Sequence, residues 1–84
     1  MKEKVFIRLQ LPIADRSYDV RLPFDAAAGT ITDTLVKMLS SQQPQGLALQ
    51  NSPLLWSARE GRPLAADRTL REQGILDSDL LYLI

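Results

Sequence analysis

The chain of 84 residues contains no histidine and no cysteine. The usual general base near neutral pH and the strongest side-chain nucleophile are therefore both missing, and the serines have no obvious activating partner. An enzyme is not expected. The lack of cysteine also excludes a disulfide framework and thiolate metal sites, gives no sign of an oxidising compartment, and makes the cytosol the expected home. Ten acidic residues match ten basic ones, so no net charge draws the chain to nucleic acid or to an anionic membrane. The four glycines are scattered, and none stands in the strand-to-helix context of a phosphate loop. No segment approaches the about 18–20 apolar residues of a membrane span. The start, Met1-Lys2-Glu3-Lys4-Val5, lacks the apolar stretch of a signal peptide. Direct membrane insertion is not expected.

What is present is ordinary for a globular domain, with 45% hydrophobic and 24% charged residues. A chain of this length buries about 60–65% of the surface its unfolded form exposes, enough for one small core. There is no internal repeat, low-complexity tract or linker, so a single domain over residues 1–84 is expected.

Val5, Ile7 and Leu9 alternate with Phe6 and Arg8, the period of a half-buried strand. Pro12 and Asp15 mark a turn longer than two residues, and Tyr18, Val20 and Leu22 then alternate with Asp19 and Arg21 as the antiparallel partner, which Pro23 ends. Ile31, Leu35, Met38 and Leu39 follow a helical period over about Thr30 to Ser41, with Thr30 as N-cap and Asp33 in a weak capping box. Pro44 and Gly46 stop the helix, and Leu47 to Ser52 has no assignable pattern. Leu54 to Arg59 is apolar enough for a third strand, followed by a turn whose Gly61 can take positive φ. Leu64 begins a very short fourth strand. Arg68 to Gly74 forms one helical turn capped by Asp67 or Thr69 and stopped by Gly74. Leu80 to Ile84 closes the chain as a strand, with Leu81 and Leu83 on one face and Leu80, Tyr82 and Ile84 on the other. The order is ββαββ plus a terminal strand.

Gly61-Arg62-Pro63-Leu64, then Arg68-Thr69-Leu70, Ile75, Leu81 and Leu83, resemble the C-terminal half of ubiquitin without a gap. The resemblance implies an α+β, ubiquitin-like β-grasp: a mixed sheet round one helix, with a short helical turn before the last strand. Tyr18-Asp19-Val20-Arg21-Leu22-Pro23 and Leu70 through Gly74-Ile75 resemble the YukD/EsaB family, ubiquitin-like components of type VII (WXG100) secretion. They also resemble the cytosolic ubiquitin-like domain of the membrane protein in the mycobacterial system. The chain as written ends at Ile84 without a diglycine, so conjugation is not expected. The rivals are a modifier or sulfur carrier with a processed or extended C-terminus, and a scaffold domain of a larger membrane protein.

Asp77-Ser78-Asp79 reads as turn and solubility residues, since two carboxylates fall short of a calcium ligand set. No cofactor or metal is implied. The arginines read as a solvated mixed-charge surface, with Arg68 structural. Trp56, Leu54, Ile7, Leu9, Val20, Ile31, Leu35, Leu39, Leu64, Leu70, Ile75, Leu81 and Leu83 are assigned to the core. Alternation leaves Phe6, Tyr82 and Ile84 outside, with Arg8 and Ala58 nearby if the sheet pairs as in ubiquitin, where this face is the main docking surface. These five are the candidate protein-binding residues. The expected partner is a protein, such as the cytosolic part of a secretion-system membrane protein or ATPase, and a homodimer is the other arrangement.

Overall fold

The structure is a computed structural model that describes residues 3–12, 15–42 and 53–84. The helix-stop at Pro44 and Gly46 and the unassigned stretch Leu47 to Ser52 lie outside the described residues. The elements run β1 (Lys4–Leu11), β2 (Arg16–Pro23), α1 (Ala28–Gln42), β3 (Leu55–Ser57), β4 (Arg62–Pro63) and β5 (Asp79–Leu83). They build a five-stranded mixed sheet in the order β2-β1-β5-β3-β4. β1 and β2 form the expected antiparallel hairpin, β5 lies parallel to β1, and β3 lies antiparallel to both β5 and β4. The hairpin turns where the Asp15 amide donates to the Pro12 carbonyl at 3.2 Å. Pro23 stays in the ladder as the last residue of β2, opposite Lys4, and a proline at a strand end on a sheet edge removes no bond the sheet uses.

Period-two burial on β1 sends Val5, Ile7, Leu9 and Leu11 into the core. Ile31, Leu35 and Leu39 of α1 join them, together with Leu22, Leu55, Leu64, Leu70, Ile75, Leu81 and Leu83. Met38, one position off that stripe, is 52% exposed. The helix packs on the sheet through two adjacent rows spaced by four, Ile31, Leu35 and Leu39 beside Ala28, Thr32 and half-buried Val36, the broad stripe that a 3.6-residue period produces.

Thr30 is not the N-cap, because α1 begins at Ala28. The leading amides of a helix need outside acceptors. Here the Ala28 amide donates to the Arg68 carbonyl at 2.9 Å and the Gly29 amide to the Ala66 carbonyl at 3.0 Å. The distant loop supplies what a side-chain cap would have supplied. Gly29 permits this approach, since a Cβ there would stand 3.1 Å from both the Ala66 Cβ and its carbonyl oxygen.

That loop is itself tightly specified. The Glu72 amide donates to the Thr69 Oγ1 at 3.0 Å, while the Glu72 carboxylate accepts from the Thr69 amide at 2.9 Å. This reciprocal capping box selects Thr69 over Asp67 as the cap. The turn closes with Ile75 donating to the Leu70 carbonyl and Gly74 to the Arg71 carbonyl, both at 3.1 Å. This is the Schellman pattern, which needs the positive φ of 73° that Gly74 adopts. Gly61 likewise has φ 67°. Arg71 pairs with Asp25 through Nε to Oδ1 at 2.6 Å and lies 4.4 Å over the Phe24 ring, tying the β2–α1 connection to the same loop.

The Thr69 amide, the Thr69 side chain and the nearby Arg68 charge all hold the Glu72 carboxyl below its usual range, the backbone bond most strongly. A lowered carboxyl adds stability above its unfolded pKa and loses it as pH falls through the folded value. An NMR titration should therefore place the Glu72 midpoint below that of an unstructured glutamate. Thr69→Ala should return it toward the ordinary value and cost about 1 kcal/mol, the usual loss for a cap hydroxyl. A Glu72 midpoint at the unstructured value would remove the capping box.

Candidate docking surface

The candidate surface is the sheet face turned away from α1. Residues of even number on β1 and β5 point there, because alternation sends the odd-numbered Ile7, Leu9, Leu81 and Leu83 inward, where all four are fully buried. Tyr82 stands between Gln10 of β1 and Trp56 of β3, and Trp56 stands opposite Pro63 of β4. One rung further along, Leu54 and Ile84 exchange backbone bonds at 2.9 and 3.0 Å. On the other side, Leu80 lies opposite Arg8, and its carbonyl accepts the Ala58 amide at 3.1 Å.

All five candidate residues, Phe6, Arg8, Ala58, Tyr82 and Ile84, occupy this face, but they do not form one cluster. Tyr82, Ile84 and Ala58 share adjoining rungs of β5 and β3. Phe6 is level with Ser78, whose amide donates to the Phe6 carbonyl at 2.7 Å. That places Phe6 about 20 Å along the sheet from Ile84, at about 3.3 Å per residue. Phe6, Leu54 and Ile84 are each 41% exposed. Arg8 and Asp19 pair across β1 and β2 at 3.3 Å on the exposed surface. The face is therefore divided, apolar over β5 and β3, and mixed over β1 and β2, where the Arg8–Asp19 pair stands beside exposed Phe6.

Two residues assigned to the core belong here instead. Leu54 and half-buried Trp56 point outward, while Leu55 and Ser57 are buried. Placing Trp56 inside and Ala58 outside is inconsistent on one strand, since both fall on the same side of a period-two backbone. Ser57 tolerates burial because its Oγ accepts the Glu60 amide at 3.2 Å and its carbonyl accepts the Gly61 amide at 2.8 Å. The polar side chain thus serves the turn that follows. Pairing with the outward Tyr82 is the signal that would have found Trp56.

The acidic loop before β5 holds the end of this face in place. The Asp77 carboxylate accepts the Phe6 amide at 2.9 Å. Asp79 accepts Arg59 Nη2 at 3.1 Å and the Leu76 amide at 2.9 Å, while Arg59 Nη2 also donates to the Gly74 carbonyl at 2.8 Å. Asp79 raises the Arg59 pKa above its ordinary value, chiefly through that hydrogen bond. These carboxylates are engaged in loop geometry. Among the described residues no group of three or more acidic side chains is placed to hold a metal ion, and no helix is long and apolar enough to cross a membrane.

A mixed sheet ordered β2-β1-β5-β3-β4 and wrapped round one helix defines a ubiquitin-like β-grasp domain, here with an apolar patch on its open face. Solved structures agree. The EccD5 ubiquitin-like domain from Mycobacterium xenopi has a TM-score of 0.79 at 22% identity, covering 99% of this chain and 94% of that one. The ubiquitin-like domain of the Mycobacterium tuberculosis type VII secretion system protein ECCD1 has a TM-score of 0.69 at 24% identity, covering 95% and 98%. A chain of the MycP5-free ESX-5 inner membrane complex has a TM-score of 0.80 at 24% identity, with 99% of this chain covering 21% of that one. This chain thus spans about a fifth of that membrane-complex protein. No curated protein matches the sequence. The family model described as WXG100 protein secretion system (Wss), protein YukD, matches residues 6–83. The chain belongs to the YukD family.

Proposed function

We propose that this chain is a non-enzymatic docking module, one domain over residues 1–84, that serves a WXG100-type secretion system in the cytosol as an accessory or regulatory subunit. Its partner is a protein, the cytosolic part of a membrane component or of the secretion ATPase. The observation that carries this reading is the contiguous patch of Leu54, Trp56, Tyr82 and Ile84 on the sheet face opposite the helix. Aromatic and aliphatic side chains on a rigid sheet give large contact area at little entropic cost, which is how interface anchors work. Membership of the YukD family and the likeness to domains of a type VII inner membrane complex support the choice of partner. The absence of histidine and cysteine supports a role without catalysis.

The test is co-purification of the secretion ATPase and membrane components from the native host, with the wild-type chain and with Tyr82→Glu/Ile84→Glu as bait. The expected result is loss of capture by the variant, at least about tenfold, while its circular dichroism and melting remain those of a folded domain. Equal capture by both would remove the sheet-face site.

A further inference from the structure

The sheet has two unequal edges. β4 ends one side after only two residues, one of them Pro63, which is how an edge is closed to further pairing. Among the described residues, β2 ends the other side with eight residues bonded to β1 alone. The Phe24 amide donates to the Glu3 carbonyl at 2.9 Å, which sets the parity of the hairpin ladder. Tyr18, Val20 and Leu22 direct their amides and carbonyls at β1. Ser17, Asp19 and Arg21 therefore direct theirs off the sheet. Beneath this edge, between β2 and α1, runs a groove of about 170 Å³ whose lining includes Val20, Leu22, Ile31 and Leu35.

We propose that a second copy of this chain pairs its β2 antiparallel with this β2 across a two-fold axis at Val20, joining the two sheets into one. Charge selects the register. A two-fold centred on Asp19 opposes two carboxylates, and one centred on Arg21 opposes two guanidinium groups; like charges directly opposite destabilise a strand pair. A centre at Tyr18 sets Arg21 against the partner's Asp15, which has left the strand with φ 51°. Centring on Val20 sets Arg21 against the partner's Asp19, and Asp19 against the partner's Arg21. Arg21 forms no ion pair within the described residues, whereas Asp19 holds Arg8 from one side and keeps 55% of its side chain exposed.

A separate observation favours the same register. It brings the partner's Tyr18 opposite Leu22, a wall of the apolar groove. Tyr18 is half-buried against its own core and lies beyond the groove of its own chain, so each copy offers an aromatic ring where the other offers an apolar recess. Paired Val20 side chains lie on the same side of the joined sheet, so the axis is perpendicular to it. The faces carrying Trp56 and Tyr82 then lie side by side, and a dimer presents a bivalent surface.

Sedimentation velocity on the full chain tests this. The expected result is a mass rising from 9.4 kDa toward twice that value between about 10 μM and about 1 mM, the weak range of a small interface. Asp19→Arg and Arg21→Asp should each weaken association by about tenfold or more, since each places like charges opposite one another twice. The combined Asp19→Arg/Arg21→Asp chain should recover association over either single change, short of the unmodified level because Arg8 then faces a cation at position 19. Amide exchange on the unmodified chain should show Asp19 and Arg21 gaining protection as concentration rises. A chain that stays monomeric at about 1 mM would overturn the proposal, as would a double exchange that associates no better than either single change. So would protection of those two amides in the monomer, which would mean that another part of the same chain covers the edge.

Discussion

Replacing Leu81 with alanine is expected to destabilise the domain by about 3–5 kcal/mol, the range for a leucine that leaves a cavity which its neighbours cannot fill. Leu81 is fully buried on the central strand β5, opposite Leu9 on β1 and Ser57 on β3, and shares one buried cluster with Ile31 and Leu35 of the helix. Hydrogen-bonded strands on both sides limit how far the backbone can collapse into the space. Globular domains of this length have a total stability of about 4–13 kcal/mol, so the loss is a large share of the whole. The expected fall in Tm is about 12–40 °C at about 4–8 °C per kcal/mol. Urea unfolding followed by Trp56 fluorescence measures it. A loss below about 1 kcal/mol would mean that helix and sheet do not meet at Leu81.

The next contrast lies within β3. Leu55→Ala should cost about 2–4 kcal/mol, because Leu55 is 2% exposed and pairs with buried Leu83. Trp56→Ala should cost about 1 kcal/mol or less, the loss of a cross-strand pair with Tyr82 on the open face. The ranking is the reverse of what side-chain size and hydrophobicity suggest, since tryptophan is the larger apolar group. Should Trp56→Ala prove the more damaging of the two, β3 is in the opposite phase and the patch proposed for docking loses its aromatic centre. Partner capture gives an independent readout, because Trp56→Ala should weaken it while Leu55→Ala affects it only through folding.

Much of this architecture is legible in residue order. β1 and β2 run long enough for period two to stand out, and β5 does so through Leu81 and Leu83. The helix declares itself through Ile31, Leu35 and Leu39. The Gly61 and Gly74 turns are legible because their backbone demands a residue without a Cβ. Outward Phe6, Arg8, Tyr82 and Ile84 follow from the same alternation. Where elements are short, the pattern carries too little information. β3 has three residues and β4 two, so neither completes enough periods to set its phase. Hydrophobicity alone accordingly sends Leu54 and Trp56 to the core, and Leu64 to a strand that ends before it.

The start of the helix shows a different limit. Thr30 and Asp33 satisfy the local rules for a cap, yet the acceptors for the first amides come from Ala66 and Arg68, far along the chain. Local grammar cannot register a contact between segments separated by the length of the helix and two strands. Gly29, unremarkable in sequence, is explained by Ala66, which would stand 3.1 Å from a Cβ placed there.

Alternation, turn residues and the apolar stripe of one helix were enough to specify most of the elements and their order, and the motifs Tyr18 to Pro23 and Leu70 to Ile75 carried the resemblance to the YukD family, because each depends on neighbours within a few positions. The placement of β5 beside β1, the outward phase of Trp56, the apolar patch over β5 and β3, and, among the described residues, the outer position of β2 in the sheet emerged from packing. Each of these depends on which backbone amides find partners across the sheet, and those partners lie tens of residues away.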